Sequence, residues 1–176
     1  MIALDAVKVA AIVFFASIAQ VSIFSSVIVL GGTPDLLLVT LVCVALLRGS
    51  IYGATAGFAA GLVVDIATLE TLGVTSLLLT LAGYWIGRYG ETTGRDRAHA
   101  PFLSIAVVTV LFAAGALGLD FLLGESAPAR RVLLETLFQG IGLNLIVTVP
   151  VYTLCRWALG SEPGRADHPR EVRLLG

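Results

Sequence analysis

The chain has 176 residues, of which 57% are hydrophobic and 13% charged, and its mean hydropathy is +0.97. A soluble domain carries about 25% charged residues, so this apolar surface exceeds what one soluble core of this size can cover. The composition therefore excludes a water-soluble globular protein and a disordered one, and the net charge of -1 gives no basic excess for nucleic acid. Both cysteines, Cys43 and Cys155, lie in apolar stretches, which predicts buried thiols and not a disulfide framework.

Six apolar stretches follow one another along the chain, and crossing a bilayer takes about 20 residues of helix. Continuous apolar runs without period-2 alternation favour helices over a barrel, so the sequence predicts an all-α polytopic membrane protein. The first stretch is predicted to be a retained helix, although Ser17-Ile18-Ala19 has the small residues of a signal cleavage site. Residues 1–160 form one transmembrane domain in this prediction, and the polar residues 161–176 form a disordered tail. The predicted spans are residues 9–30, 33–47, 51–69, 72–87, 102–119 and 136–155.

The second span is the shortest, and Thr33-Pro34-Asp35 supports a helix start there. Thr33 supplies a hydroxyl cap, Pro34 suits the first helical position, and the Asp35 carboxylate suits the positive end of a helix. A re-entrant pair in place of the second and third spans is the alternative.

Arginine and lysine are distributed unequally between the two sides of the predicted bundle. With the N-terminus in the cytoplasm, nine of the eleven fall on the inner side, and only Arg130 and Arg131 fall outside. The acidic residues Asp35, Glu70, Asp120, Glu125 and Glu135 all lie on the outer side. Both termini are therefore predicted to be cytoplasmic.

Asp65 is the one ionisable residue predicted to lie deep in a span. Such a group is costly in hydrocarbon and suggests a functional site. Its expected partners are Thr75 or Ser76, Asn144, a water-filled cavity or another protein. The plainer alternative is a carboxylate at a helix end that reaches the outer headgroup region.

Gly53, Gly57 and Gly61 precede Asp65 at four-residue spacing and form a stripe of small residues on the third span. Small residues let a second helix approach closely. Packing inside the chain and an interface with a partner's helix both fit this pattern.

Other polar and aromatic residues in the spans have ordinary structural explanations. Asn144 and Gln139, in the last span, are predicted to form hydrogen bonds between helices. Tyr84, Trp85 and Tyr89 cluster at the inner end of the fourth span, as an interfacial aromatic belt does.

Sequence motifs of enzymes and metal sites are missing from the chain. It has no HExxH, GxSxG, phosphate-binding loop or dinucleotide-binding glycine pattern, and its two histidines lie in polar segments without a second metal ligand at useful spacing. The sequence thus predicts no enzymatic activity, no metal and no cofactor.

The residues from 31 to 88 resemble one family in order and spacing. The run Gly31-Gly32-Thr33-Pro34-Asp35-Leu36-Leu37-Leu38 resembles the GGxPDLLL stretch of the rod shape-determining protein MreD family. The residues that follow fit the family in the same order: Arg48-Gly49, Gly53, Gly57-Phe58, Gly61-Leu62, Asp65, Leu72-Gly73, Leu77, Tyr84 and Gly87-Arg88.

The resemblance implies a bacterial inner-membrane protein of the cell-wall elongation machinery. It implies work with the single-span protein MreC and, more broadly, with MreB, RodA and a penicillin-binding transpeptidase. It also implies a six-helix architecture like that of the substrate-binding subunits of energy-coupling-factor vitamin transporters, and no enzymatic reaction.

Three hypotheses follow. The leading one is a non-enzymatic scaffold that docks partner transmembrane helices, with Pro34, Asp35 and the glycine stripe as candidate contacts. The second is a small-molecule binding subunit of a transporter, with Asp65 and Asn144 lining an outward pocket. The third, a proton-coupled transporter with Asp65 as carrier, lacks a basic or second acidic partner for that residue.

Overall fold

The computed structural model describes residues 2–23, 32–69, 71–93, 100–124 and 130–160, and the regular elements in these ranges are six α-helices. They are α1 (Ile2–Ser22), α2 (Leu36–Arg48), α3 (Ser50–Thr68), α4 (Val74–Thr93), α5 (Ala100–Leu123) and α6 (Arg130–Leu159). The all-helical prediction is confirmed. The predicted tail, residues 161–176, lies outside the described residues.

Four of the described helices are long and apolar enough to cross a membrane: α1, α3, α5 and α6. These helices establish a membrane protein. The 13 residues of α2 rise only about 20 Å, which is short of the roughly 30 Å hydrocarbon layer.

The short helix α2 lies at the centre of the bundle and contacts each of the other five described helices. Ten consecutive residues, from Leu37 to Leu46, are buried. A helix that is apolar on every side suits either a protein interior or lipid, and the burial of α2 shows that protein surrounds it here. Because α2 is enclosed by protein, its length need not match the bilayer.

The two ends of α2 contact opposite ends of α1. Arg48 reaches Asp5 near the start of α1, and Leu36 reaches Gln20 near its end. The helix therefore traverses the bundle alongside α1, which disfavours the re-entrant alternative.

The start of α2 differs from the prediction. Asp35, and not Thr33, is the N-cap, because its Oδ1 accepts the N–H of Leu38 at 2.8 Å. Pro34 precedes the helix and does not occupy its first turn. A carboxylate satisfies one of the four free N–H groups at a helix start and complements the helix dipole, and this stabilises the start at Leu36.

The first span, predicted as residues 9–30, corresponds to α1, which begins seven residues earlier and ends at Ser22; residues 24–31 lie outside the described residues. Other helix bounds shift less. The fourth span was predicted to begin at residue 72, but α4 begins at Val74 after Gly73, whose φ of +96° is a conformation that suits glycine. At their far ends α4, α5 and α6 all run past the predicted spans into polar or interfacial sequence. The ends of an apolar stretch mark where the chain leaves the hydrocarbon layer. The helix itself continues past that level, so these three helices are longer than the predicted spans.

Candidate functional site

Asp65 caps the start of the neighbouring helix. Its carboxylate, which is fully buried, accepts N–H groups from Gly73 at 2.8 Å, Thr75 at 3.3 Å and Ser76 at 3.4 Å. These are the free N–H groups of the first turn of α4, where the helix dipole favours negative charge. Two of the expected partners, Thr75 and Ser76, therefore contact Asp65, through their backbones and not through their hydroxyls.

Asp65 lies three residues before the end of α3 and is 0% exposed, so protein encloses its carboxylate at this helix end. Its oxygens are engaged by α4, so Asp65 joins two helices of this chain.

A matching carboxylate lies at the other end of the same helix pair, and the sequence analysis missed it. Glu91, near the end of α4, accepts the Ser50 N–H at 2.8 Å and the Ser50 hydroxyl at 3.0 Å, at the start of α3. These Ser50 donors, with a further bond from Arg88 at 3.3 Å, lower the pKa of Glu91 below its ordinary value. Each of the two antiparallel helices thus caps the start of the other. No local signal shows this pairing, because the partners are 41 residues apart.

The glycine stripe faces α4. A Cβ atom added at Gly53, Gly57 or Gly61 would collide with α4 backbone, at Gly83, Leu79 and Ser76 respectively. The structure thus places the stripe in packing inside the chain.

Two glycines of α4 complete this contact and were also missed. A Cβ at Gly83 would collide with Gly53, and one at Gly87 with Ser50. Their own four-residue spacing, within the segment from Gly83 to Gly87, is the signal that could have found them. Glycines on both helices allow backbone-to-backbone packing, which stabilises helix pairs in lipid.

Asn144 joins three helices around the start of α2. Its Oδ1 accepts the Asp35 N–H at 2.8 Å, and its Nδ2 donates to the Thr109 hydroxyl of α5 at 3.2 Å. Gln20 of α1 acts beside it, accepting the Leu36 N–H at 2.8 Å and donating to the Pro34 carbonyl at 3.4 Å. The expected inter-helix role of Asn144 agrees with this geometry, and the role of Gln20 was missed. Pro34 and Asp35 therefore belong to a buried helix start.

Gln139 is not part of that junction. It is exposed on α6, and its Cβ lies 2.9 Å from where a Cβ at Gly32 would be. The backbone around residue 32 therefore packs closely on α6 at this point.

At the opposite end of α2, Arg48 joins α1 and α6. Its guanidinium lies 3.1 Å from the Asp5 carboxylate and donates to the Leu159 carbonyl, and its side chain is only 6% exposed. A cation at the ends of α2 and α6 complements the negative end of each helix dipole.

Open apolar grooves lie on the outside of the described part of the bundle. One of them, the α1–α3 groove, has a volume of about 640 Å³, and its lining combines larger residues such as Phe14, Phe15 and Tyr52 with the small residues Ala6, Ala10, Ala11, Ser17, Thr55, Ala56, Ala59 and Ala60. The α4–α5 groove has a volume of about 550 Å³, and its lining includes Leu81, Trp85, Tyr89, Ser104, Val107 and Phe112.

The predicted aromatic belt divides at the α4–α5 groove. Trp85 and Tyr89 line it, whereas Tyr84 packs edge-to-face on Trp85 with ring centroids 5.8 Å apart. The indole of Trp85 is 65% exposed, so it is available to lipid or to a partner.

Comparison with known proteins identifies a family. The sequence model of the family described as rod shape-determining protein MreD matches residues 3–158, which is nearly all of the helical bundle. No curated protein and no solved structure matches the chain.

Proposed function

Because this chain belongs to the rod shape-determining protein MreD family, we propose that it is a non-enzymatic scaffold of the cell-wall elongation complex. In this proposal it holds the transmembrane helix of a single-span partner such as MreC, and thereby serves the family's role in rod-shape determination. RodA, a penicillin-binding transpeptidase and MreB are further members of the proposed assembly.

The observation that carries this proposal is the α1–α3 groove. Along α1 the groove runs from Ala6 to Ser17, about 17 Å. Six alanines line it beside larger side chains such as Phe14 and Tyr52. Small residues let a second helix come close enough to gain packing energy in lipid. A groove of this composition between two membrane helices suits a third helix.

The glycine stripe is a poorer candidate for the same role. The backbone of α4 already covers Gly53, Gly57 and Gly61, so a partner's helix would have to displace α4. The docking surface in this proposal therefore lies on the opposite flank of α3, where Thr55 and Ala59 are exposed.

The proposed setting is the bacterial inner membrane with both termini in the cytoplasm. The unequal distribution of arginine and lysine supports this orientation. The end of the bundle defined by Asp5, Arg48, Ser50, Glu91 and Leu159 then faces the cytoplasm. A fold like that of vitamin-binding subunits of energy-coupling-factor transporters remains part of the proposal.

The test is co-purification of the partner from detergent. Ala10→Leu and Ala59→Leu fill the α1–α3 groove at exposed positions, and we expect each to reduce recovery of a co-expressed MreC-like protein at least about tenfold. Ala114→Leu is the matched control, because it adds the same side chain at an exposed position on α5 outside both grooves. Full recovery of the partner with both groove variants would contradict the proposal.

The second candidate, a small-molecule binding subunit, has weaker support. A groove volume of several hundred Å³ falls in the range of ligand sites. Asp65 and Asn144, however, are buried and hydrogen-bonded at helix starts, and neither lines the two grooves. A vitamin-sized molecule that remains bound through purification, found by mass spectrometry, would favour this candidate over the scaffold.

A further inference from the structure

The α4–α5 groove contains a buried hydroxyl that the fold leaves unsatisfied. Ser104 is 3% exposed, and its Oγ has no hydrogen-bond partner among the described residues. A buried donor without a partner costs about 1–3 kcal/mol. The other buried serine and threonine hydroxyls in the described bundle have acceptors: Ser17, Ser76 and Thr148 donate to backbone carbonyls, and Ser50 donates to the Glu91 carboxylate. Ser104 is therefore placed for a ligand that enters the groove.

The position of Ser104 in the groove indicates what that ligand is. Ser104 lies one turn from the start of α5, at the end of the groove that also holds Trp85 and Tyr89. Aromatic rings of this kind mark the level where hydrocarbon meets headgroups. The rest of the groove continues along α5 to Gly115, about 18 Å from Leu103, which is slightly more than one leaflet of a roughly 30 Å hydrocarbon layer.

We propose that the α4–α5 groove is a binding site for an ester-linked membrane lipid. One acyl chain lies along the groove from the Tyr89 end to Gly115, and the ester carbonyl at its head accepts the hydrogen bond of the Ser104 hydroxyl. The proposal depends on the chain being a membrane protein and is independent of the α1–α3 docking surface.

The lining of the groove favours a hydrocarbon chain over a partner's helix. Bulky side chains such as Leu81, Phe112 and Leu111 hold a second backbone away from α4 and α5, whereas a flexible chain fits between them. The α1–α3 groove, with six alanines in its lining, is richer in small residues. The side chains with polar atoms, Ser104, Trp85 and Tyr89, lie at one end of the groove, and an acyl chain has its polar ester at one end in the same way.

Tryptophan fluorescence gives a direct test. The chain has two tryptophans, and Trp157→Phe on exposed α6 leaves Trp85 in the groove as the only one. The protein is reconstituted in diether phosphatidylcholine vesicles with brominated phosphatidylglycerol, either diester or diether, of identical headgroup and chains. We expect the diester probe to quench Trp85 at about fivefold lower mole fraction, which corresponds to one hydrogen bond.

Three further variants test whether the preference for the diester probe arises in the α4–α5 groove. Ser104→Ala and the groove-filling Val107→Phe are expected to make the two probes equivalent. Ser17→Ala should keep the preference, because it removes another buried helical hydroxyl that lies outside this groove. Equal quenching by both probes in the parent protein, or a preference that survives in Ser104→Ala, would overturn the proposal.

Discussion

At the scale of single residues, several polar side chains of this protein, of which Asp65 and Asn144 are buried, act on the ends of neighbouring helices. Asp65, Glu91, Asn144 and Gln20 each bind backbone N–H groups at the start of another helix. In lipid a free backbone N–H has no water to bind, so these side chains replace the solvent that caps helices in soluble proteins. The hydrogen bonds of Asp65 thus give this ionisable residue a structural role at the start of α4.

Asp65 gives the clearest prediction at this scale. Asp65→Ala leaves the three N–H groups at the start of α4 buried and unpaired, and we expect the free energy of unfolding to fall by about 3 kcal/mol. Asp65→Asn keeps an acceptor oxygen but loses the charge, so it should cost about 1 kcal/mol. Unfolding by denaturing detergent in mixed micelles measures both values.

The ranking of the proteins by stability, with the parent first, Asp65→Asn second and Asp65→Ala last, is a stronger test than the size of either loss. A proton carrier or ligand site at Asp65 would leave the stability of both variants close to that of the parent protein. Equal stability of all three proteins would therefore contradict the capping role.

At the scale of elements, the α3–α4 pair is the most closely packed part of the bundle. The prediction from sequence found one half of this contact, the stripe of Gly53, Gly57 and Gly61, because glycine spacing is visible along one helix. The helix that packs on the stripe could not be predicted, since small residues at that spacing suit any partner equally. The capping of α3 by Glu91 could not be predicted for a related reason. Glu91 and Ser50 lie 41 residues apart, and no local pattern connects them.

Substitutions in the stripe of Gly53, Gly57 and Gly61 test whether these glycines serve packing inside the chain or binding of a partner's helix. Gly57→Leu places a side chain against the Leu79 carbonyl, so we expect loss of the folded, monodisperse protein even when the partner is absent. Gly118→Ala on α5 is the control, because a Cβ there meets nothing within 4 Å. It should be neutral or stabilising by about 0.5–1 kcal/mol. Size-exclusion chromatography and thermal unfolding of the purified proteins check both expectations.

A folded Gly57→Leu protein that fails only in partner binding would contradict this packing. The stripe would then have to face the partner, and α4 would have to pack elsewhere.

At the scale of the whole molecule, composition and hydropathy predicted an all-helical membrane protein with six spans. The described residues form six helices, of which four are long and apolar enough to cross a membrane. The helix bounds were predicted less accurately. The ends of the apolar stretches carry no information on the capping residue Asp35 or on the positive φ of Gly73, which lie where α2 and α4 begin. The all-apolar sequence of α2 suits lipid or protein on every side. Its central position could therefore be assigned only from the helices that pack around it.

The described bundle also presents two outer grooves of different composition. The α1–α3 groove has six alanines in its lining, and the α4–α5 groove has mostly bulky side chains and one buried unpaired hydroxyl. This contrast leads to separate assignments, a partner's helix on one flank and a lipid chain on the other. Neither groove could be predicted from the sequence, since each is formed by helices whose pairing depends on the complete fold.

Site-specific photocrosslinking in living cells tests the docking surface most directly. A photoreactive amino acid replaces Ala59 in the α1–α3 groove or, as the control, Ala114 on the outer face of α5. The account predicts a covalent adduct with a single-span MreC-like protein from position 59 and none from position 114. An adduct from position 114 with none from position 59 would contradict it.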